Sequence, residues 1–149
     1  MELDHINNDG KKHREEVGIK MFDWALKNDF PDILQIMCAN CNRGRAKFGI
    51  CPHLRTPLTT KTVSGMQKRA RRQRVIDEYG GKCQCCNENN WAFLEFDHVN
   101  NDGAKHRLII PKHLIVSWIL ANNFPDSIQL HCSNCNKAKG LYNSCPHQR

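Results

Sequence analysis

Two Asp-His dipeptides and a set of paired cysteines carry most of the chemistry open to this sequence. Asp97-His98 and Asp4-His5 each set a carboxylate beside an imidazole, and Asn-Asn-Asp-Gly follows each after one apolar residue. An imidazole titrates near neutral pH and suits proton transfer from water. The carboxylates of Asp97 and Asp4, joined by the neutral amide oxygens of Asn136 and Asn42, suit a hard ion such as Mg2+ or Mn2+. Such an ion completes its shell with water and phosphate oxygens, so the combination suits hydrolysis of a phosphate ester, with His98 or His5 as general base. Neighbouring strand residues point to opposite faces, so Asp97 and His98 converge only if the strand end is irregular.

The cysteines suit zinc. Cys83 with Cys86 and Cys132 with Cys135 form two C-x-x-C pairs, able to supply the four thiolates of a tetrahedral structural site. Near the N-terminus Cys38, Cys41, Cys51 and His53 make a complete set of three thiolates and an imidazole. The C-terminal half offers the same set again as Cys132, Cys135, Cys145 and His147, so six candidates compete for four places there, with Cys85 in addition. The four-thiolate set is narrowly preferred, with Cys145 and His147 as the rival. Nine cysteines arranged this way, without a signal-peptide pattern at Met1, point to metal ligation in an intracellular chain rather than to disulfides.

An internal repeat organises these residues. Glu2 to Gly10 returns as Glu95 to Gly103, His13-Arg14 as His106-Arg107, Trp24 as Trp118, and Phe30-Pro31-Asp32 as Phe124-Pro125-Asp126. The Cys/His set returns in the same order. Only the second copy is preceded by a helix signal and leading cysteines, so the first is read as N-terminally truncated, with domains at 1–55 and 83–149 and a Thr-rich linker plus basic helix over 56–82. Ser64 and Gln67 form a capping-box pattern opening a helix that runs to about Tyr79 before Gly80-Gly81. Trp91 to Val99 reads as a strand, 113–121 (and 20–27) as a helix ended by Phe-Pro, and Ser127 to His131 as a second strand. A last helix starts near Cys135 or Asn136. The fold class expected is α+β, with the order strand, insert helix, strand, helix in each copy. Trp24 and Trp118 read as core.

The formal charge is +7, and residues 54–82 hold eight Lys/Arg against two Asp/Glu. Lys68, Arg69, Arg71, Arg72 and Arg74 fall within seven residues of the expected helix, a pattern that grips a phosphate backbone without reading sequence. His106-Arg107 and His13-Arg14 could add phosphate contacts, or could be solvated loop pairs. Nothing in the sequence is apolar for long enough to span a membrane. DNA is the expected partner, RNA less so, in an intracellular setting (host cytoplasm for a phage-encoded chain). A dimer or a place in a larger nucleoprotein assembly is compatible with this reading.

The run Tyr79-Gly80-Gly81-Lys82-Cys83, Phe96-Asp97-His98, Asp102-Gly103, His106-Arg107, Cys132-Ser133-Asn134-Cys135-Asn136 and Cys145-Pro146-His147 resembles small phage and prokaryotic HNH, or His-Me finger, endonucleases. The resemblance covers most of 66–147, and 2–53 in shortened form. It implies two ββα-metal modules joined by the basic helix, Asp97 and Asn136 as ligands of a catalytic ion, His98 as base, and a separate structural zinc. In the first copy the matching residues are Asp4, Asn42 and His5. The sequence departs from the pattern in having Asn42 and Asn136 at the last motif position, and Ile33 and Ser127 where a middle Asn is expected.

Overall fold

The computed structural model describes residues 1–18, 20–54 and 62–148. Apart from Thr62, the expected Thr-rich linker lies outside them. The chain is α+β and divides into two units, Met1–Arg55 and Thr56–Arg149.

The first unit runs β1 (Glu2–His5), α1 (Gly10–Val17), α2 (Met21–Lys27), β2 (Leu34–Met37) and α3 (Ala39–Phe48). Strands β1 and β2 form an antiparallel pair with Asp4 opposite Gln35 and His5 opposite Leu34. Among its described residues the buried apolar side chains are few and small, namely Ala25, Ala39 and Cys51, while Phe22 and Ile36 are 59% and 70% exposed. So small a core cannot by itself offset the entropy of ordering the chain, and a metal staple would serve it.

The second unit contains α4 (Val63–Glu78), β3 (Leu94–His98), α5 (Gly103–Ile109), α6 (Ile115–Ala121), β4 (Ile128–Cys132) and α7 (Ser133–Tyr142), plus short 3-10 turns at Lys112–Leu114 and Pro146–Gln148. The basic helix, expected to join two modules, is built into this unit's core. Val75 and Ile76 are fully buried, packing into clusters with Ile119 and Ile128, and with Phe93, Leu94 and Leu130. Its N-cap is Thr62, whose hydroxyl accepts from the Gly65 N–H, so the helix opens two residues before the Ser64 cap the sequence suggested.

Pairing of β3 with β4 is regular to the strand end: Leu94 faces Cys132, Phe96 faces Leu130, and His98 faces Ile128. Between them, Glu95 pairs with His131 and Asp97 with Gln129. Since paired residues share a face, one side of the hairpin is mainly apolar and the other carries Glu95, Asp97, Gln129 and His131. Helix α7 packs on the polar side, through Asn136 to Glu95 and Lys139 to Asp97. Its N-cap is Cys132, whose Sγ accepts from the Cys135 N–H.

The insert differs from expectation. In each unit two helices follow the first strand, because a helix begins directly at Gly10 and Gly103 within the expected turn. His13-Arg14 and His106-Arg107 therefore sit on α1 and α5, not on loops. Among the described residues no helix is long and apolar enough to cross a membrane.

Candidate functional site

The strand-end histidine is held from two directions. His98 Nε2 lies 2.6 Å from Nδ1 of His106, one turn into α5. The same contact joins His5 Nε2 and His13 Nδ1, also at 2.6 Å. Such a contact requires one ring to donate and the other to accept. The second histidine is fixed in turn by a tryptophan, with His106–Trp118 and His13–Trp24 ring centroids 4.3 and 4.2 Å apart. Trp118 and Trp24 thus back the histidine pair as well as filling space. Gly103 and Gly10 are required here because a Cβ would stand 2.9 Å from His98 Nδ1 and 2.7 Å from His5 Nδ1. Burial chiefly, together with the charge of His106, holds the His98 pKa below the usual histidine value.

Asp97 goes the other way. Regular pairing turns it to the face opposite His98, where its Oδ2 accepts from Lys139 Nζ at 2.7 Å and Gln129 Nε2 at 2.8 Å. His131 Nδ1 is 3.1 Å from the same oxygen. Burial works to raise the Asp97 pKa, but the bonds from His131, Lys139 and Gln129 outweigh it and leave the carboxyl below its usual range. Lys139 Nζ also donates to the carbonyl of His98. In the first unit Arg45 does the same work, donating to Asp4 Oδ2 at 2.6 Å and to the carbonyls of His5 and Ile6. The carboxylates expected to ligate a catalytic ion are thus already paired with a cation, buried Lys139 in the second unit and half-buried Arg45 in the first. An ion held by Asp97 and Asn136, or by Asp4 and Asn42, does not fit this arrangement unless the cation moves away. Asn136 and Asn42 instead donate to Glu95 Oε2 at 2.8 Å and Glu2 Oε2 at 2.7 Å.

In the first unit these groups share a cleft of about 790 Å³, lined by Glu2, Asp4, His5 and Asn42 with the basic residues Lys11, Arg14, Lys20 and Arg43. The predicted residues of the shorter copy therefore border one space.

Three side-chain groups could hold a metal ion such as zinc, the ligand atoms of each lying within 4.8 Å of one another. They are Cys83, Cys86, Cys132 and Cys135; then Cys85, Cys135, Cys145 and His147; and in the first unit Cys41, Cys51 and His53. Cys38 lies outside the third group but hydrogen-bonds Cys41. The Cys41 thiol is pushed up to about 12 by burial and by its cysteine neighbours, so it would stay protonated unless a cation joined it. Cys83 is lowered to about 7: burial opposes this, but backbone N–H groups of Cys132, Cys86 and Cys85 stabilise its thiolate.

The basic residues of α4 divide. Lys68, Arg71 and Arg74 are exposed. Arg69 lies over the Trp91 ring at 4.2 Å. Arg72 turns inward over Phe96 at 4.9 Å and donates to the Leu94 carbonyl, and burial lowers its pKa. It anchors the helix rather than offering a phosphate contact. On α5, Arg107 is exposed.

Reading the sequence alone missed Lys139, Arg45, Glu95, Gln129 and His131, which surround the predicted residues, and left Cys85 unplaced. The repeat held a usable signal, since Lys139 and Arg45 both stand three residues after the motif asparagine.

No family model matches the chain, and no curated protein or solved structure is significantly similar to it.

Proposed function

We propose that the chain is a metal-dependent DNA endonuclease of the HNH, or ββα-metal, type. The observation that carries this reading is the paired histidine at the strand end, His98 with His106 and His5 with His13, each at 2.6 Å. With its proton on Nε2 and donated to His106, His98 keeps a lone pair on Nδ1. That lone pair takes a proton from water as the water oxygen attacks phosphorus and the ester oxygen leaves. Lys11, Arg14, Lys20 and Arg43 bring basic groups to the first unit's cleft, set against the carboxylates of Glu2, Asp4 and Asp23, and these basic groups are the ones that could hold a phosphate backbone. A divalent ion would neutralise the phosphate and stabilise the leaving oxygen. The Glu–Asn pairs beside the two aspartates are the oxygen donors that could receive it, and Asp97 or Asp4 would join only after parting from Lys139 or Arg45.

The second reading is a nucleic-acid-binding protein on the same scaffold without cleavage. The specific observation favouring it is the cation already bound to each aspartate.

The test is nicking of supercoiled plasmid with Mg2+ or Mn2+ at fixed low salt, comparing wild type with His98→Ala, His5→Ala and the double variant. Nicking by wild type that is lost in the double variant supports the endonuclease. The single variants assign it to one unit or both. DNA binding without cleavage of plasmid or branched DNA under either ion replaces this reading with the second.

A further inference from the structure

Seven potential ligands converge at the start of α7, three more than one tetrahedral ion can use. Cys135 belongs both to the group with Cys83, Cys86 and Cys132 and to the group with Cys85, Cys145 and His147. Zinc bonds of about 2.3 Å to sulfur and 2.0–2.1 Å to nitrogen set tetrahedral edges of roughly 3.8 Å for S···S and 3.6 Å for S···N. The edge from Cys86 Sγ to Cys132 Sγ is 3.7 Å. From His147 Nδ1 the distances to Cys145, Cys135 and Cys85 are 3.5, 3.6 and 3.9 Å. The distances around His147 and the Cys86–Cys132 edge match a zinc shell, the ligand atoms of each group lie within 4.8 Å of one another, and the two groups meet at one sulfur. A thiolate has lone pairs enough to bind two ions at once.

The first unit supplies independent support. There Cys41, Cys51 and His53 gather at the same sequence spacing, with His53 Nδ1 3.2 Å from Cys41 and 3.6 Å from Cys51. Among the described residues, the grouping of a knuckle cysteine with the Cys-Pro-His tail therefore forms without a four-cysteine group beside it.

We propose that the second unit holds a two-zinc cluster in which the Cys135 thiolate bridges the ions. One ion takes Cys83, Cys86, Cys132 and Cys135; the other takes Cys85, Cys135, Cys145 and His147. The cluster ties the loop before β3 and the C-terminal tail to the first turn of α7, where the helix dipole and the Cys135 N–H to Cys132 Sγ favour the excess negative charge. The inference does not rest on the nuclease reading, because it concerns metal content alone.

The test is metal counting by native mass spectrometry on the full chain produced with zinc, together with 113Cd NMR of the cadmium-substituted protein. Expected are three zinc ions per chain, falling to two in Cys85→Ser and likewise in His147→Ala, and one pair of cadmium resonances coupled through the shared sulfur. His147 is exposed, so its removal spares the buried core even if Cys85→Ser perturbs the loop. Uncoupled cadmium resonances, or a metal count unchanged in both variants, would overturn the proposal in favour of one ion with alternative ligands.

Discussion

The Lys139 ammonium lies 2.7 Å from Asp97 Oδ2, with both side chains about nine-tenths buried. This pair joins the last helix of the second unit to the end of its first strand. Removing one partner of a buried ion pair leaves an uncompensated charge. Asp97→Ala should therefore cost about 3–5 kcal/mol of unfolding free energy, read by urea denaturation. Lys139→Met keeps the aliphatic stem but strands the Asp97 carboxylate, so it should cost a similar amount at neutral pH. If Asp97 does receive a divalent ion during catalysis, Lys139→Met should also lower the Mg2+ concentration needed for half-maximal nicking.

Acid should weaken the same joint. The Asp97 pKa is depressed in the folded chain, so its contribution is fully present above the unfolded carboxyl value of about 4 and is lost as pH falls through the folded value. Stability measured from pH 6 downward should drop below about pH 4, and Asp97→Asn should flatten that drop.

If His98 is the base proposed above, the histidine pair should set a pH limit on activity. His98 must be neutral to accept a proton, and its pKa is held below the usual histidine value. Cleavage should thus persist on the acid side of about pH 6.5 and fail only further down. His106→Ala frees the ring from its neighbour's charge, so the acid limb should move to higher pH. Gly103→Ala places a methyl group 2.9 Å from His98 Nδ1. It should lower kcat by displacing the His98 ring, and it should also lower thermal stability because the ring or helix α5 must shift to make room.

Chelation should act unequally. Among the described residues the first unit buries three apolar side chains, all small, whereas the second buries Phe93, Leu94, Ile119 and Leu130 among others. Removal of zinc should expose the amides of β1, β2 and α3 to hydrogen exchange first, with β3 and β4 retaining more protection.

Salt dependence should separate the arginines of α4. Arg71→Ala and Arg74→Ala, at exposed positions, should each reduce the slope of log affinity against log salt by about one unit for DNA. Arg72→Ala should instead lower stability, because its guanidinium covers Phe96 and bonds the Leu94 carbonyl.

Local pattern accounts for what could be read in advance. The β3 segment lay inside the expected 91–99 strand because aromatic and apolar residues alternate with polar ones there, and α4 was visible from the Gly80-Gly81 stop and from a Ser64–Gln67 pattern that set its cap two residues late. Helices α1 and α5 were not, since they are short, polar and begin at glycine. They are tied down by contacts made across the fold, His13 to His5 and Trp24, and His106 to His98 and Trp118.

Cysteine and histidine spacing, the repeat, the basic run and the Asp-His strand ends were settled by the sequence itself, because each is a matter of residue type within a few positions. Tertiary structure decided which ligands meet and what each aspartate does. Cys85 and His147 are 62 residues apart, and Asp97 and Lys139 are 42 apart. Hairpin register turns Asp97 away from His98, and the packing of α7 then delivers Lys139 to it. No local pattern specifies those two placements, since both depend on which face of the strand the last helix covers.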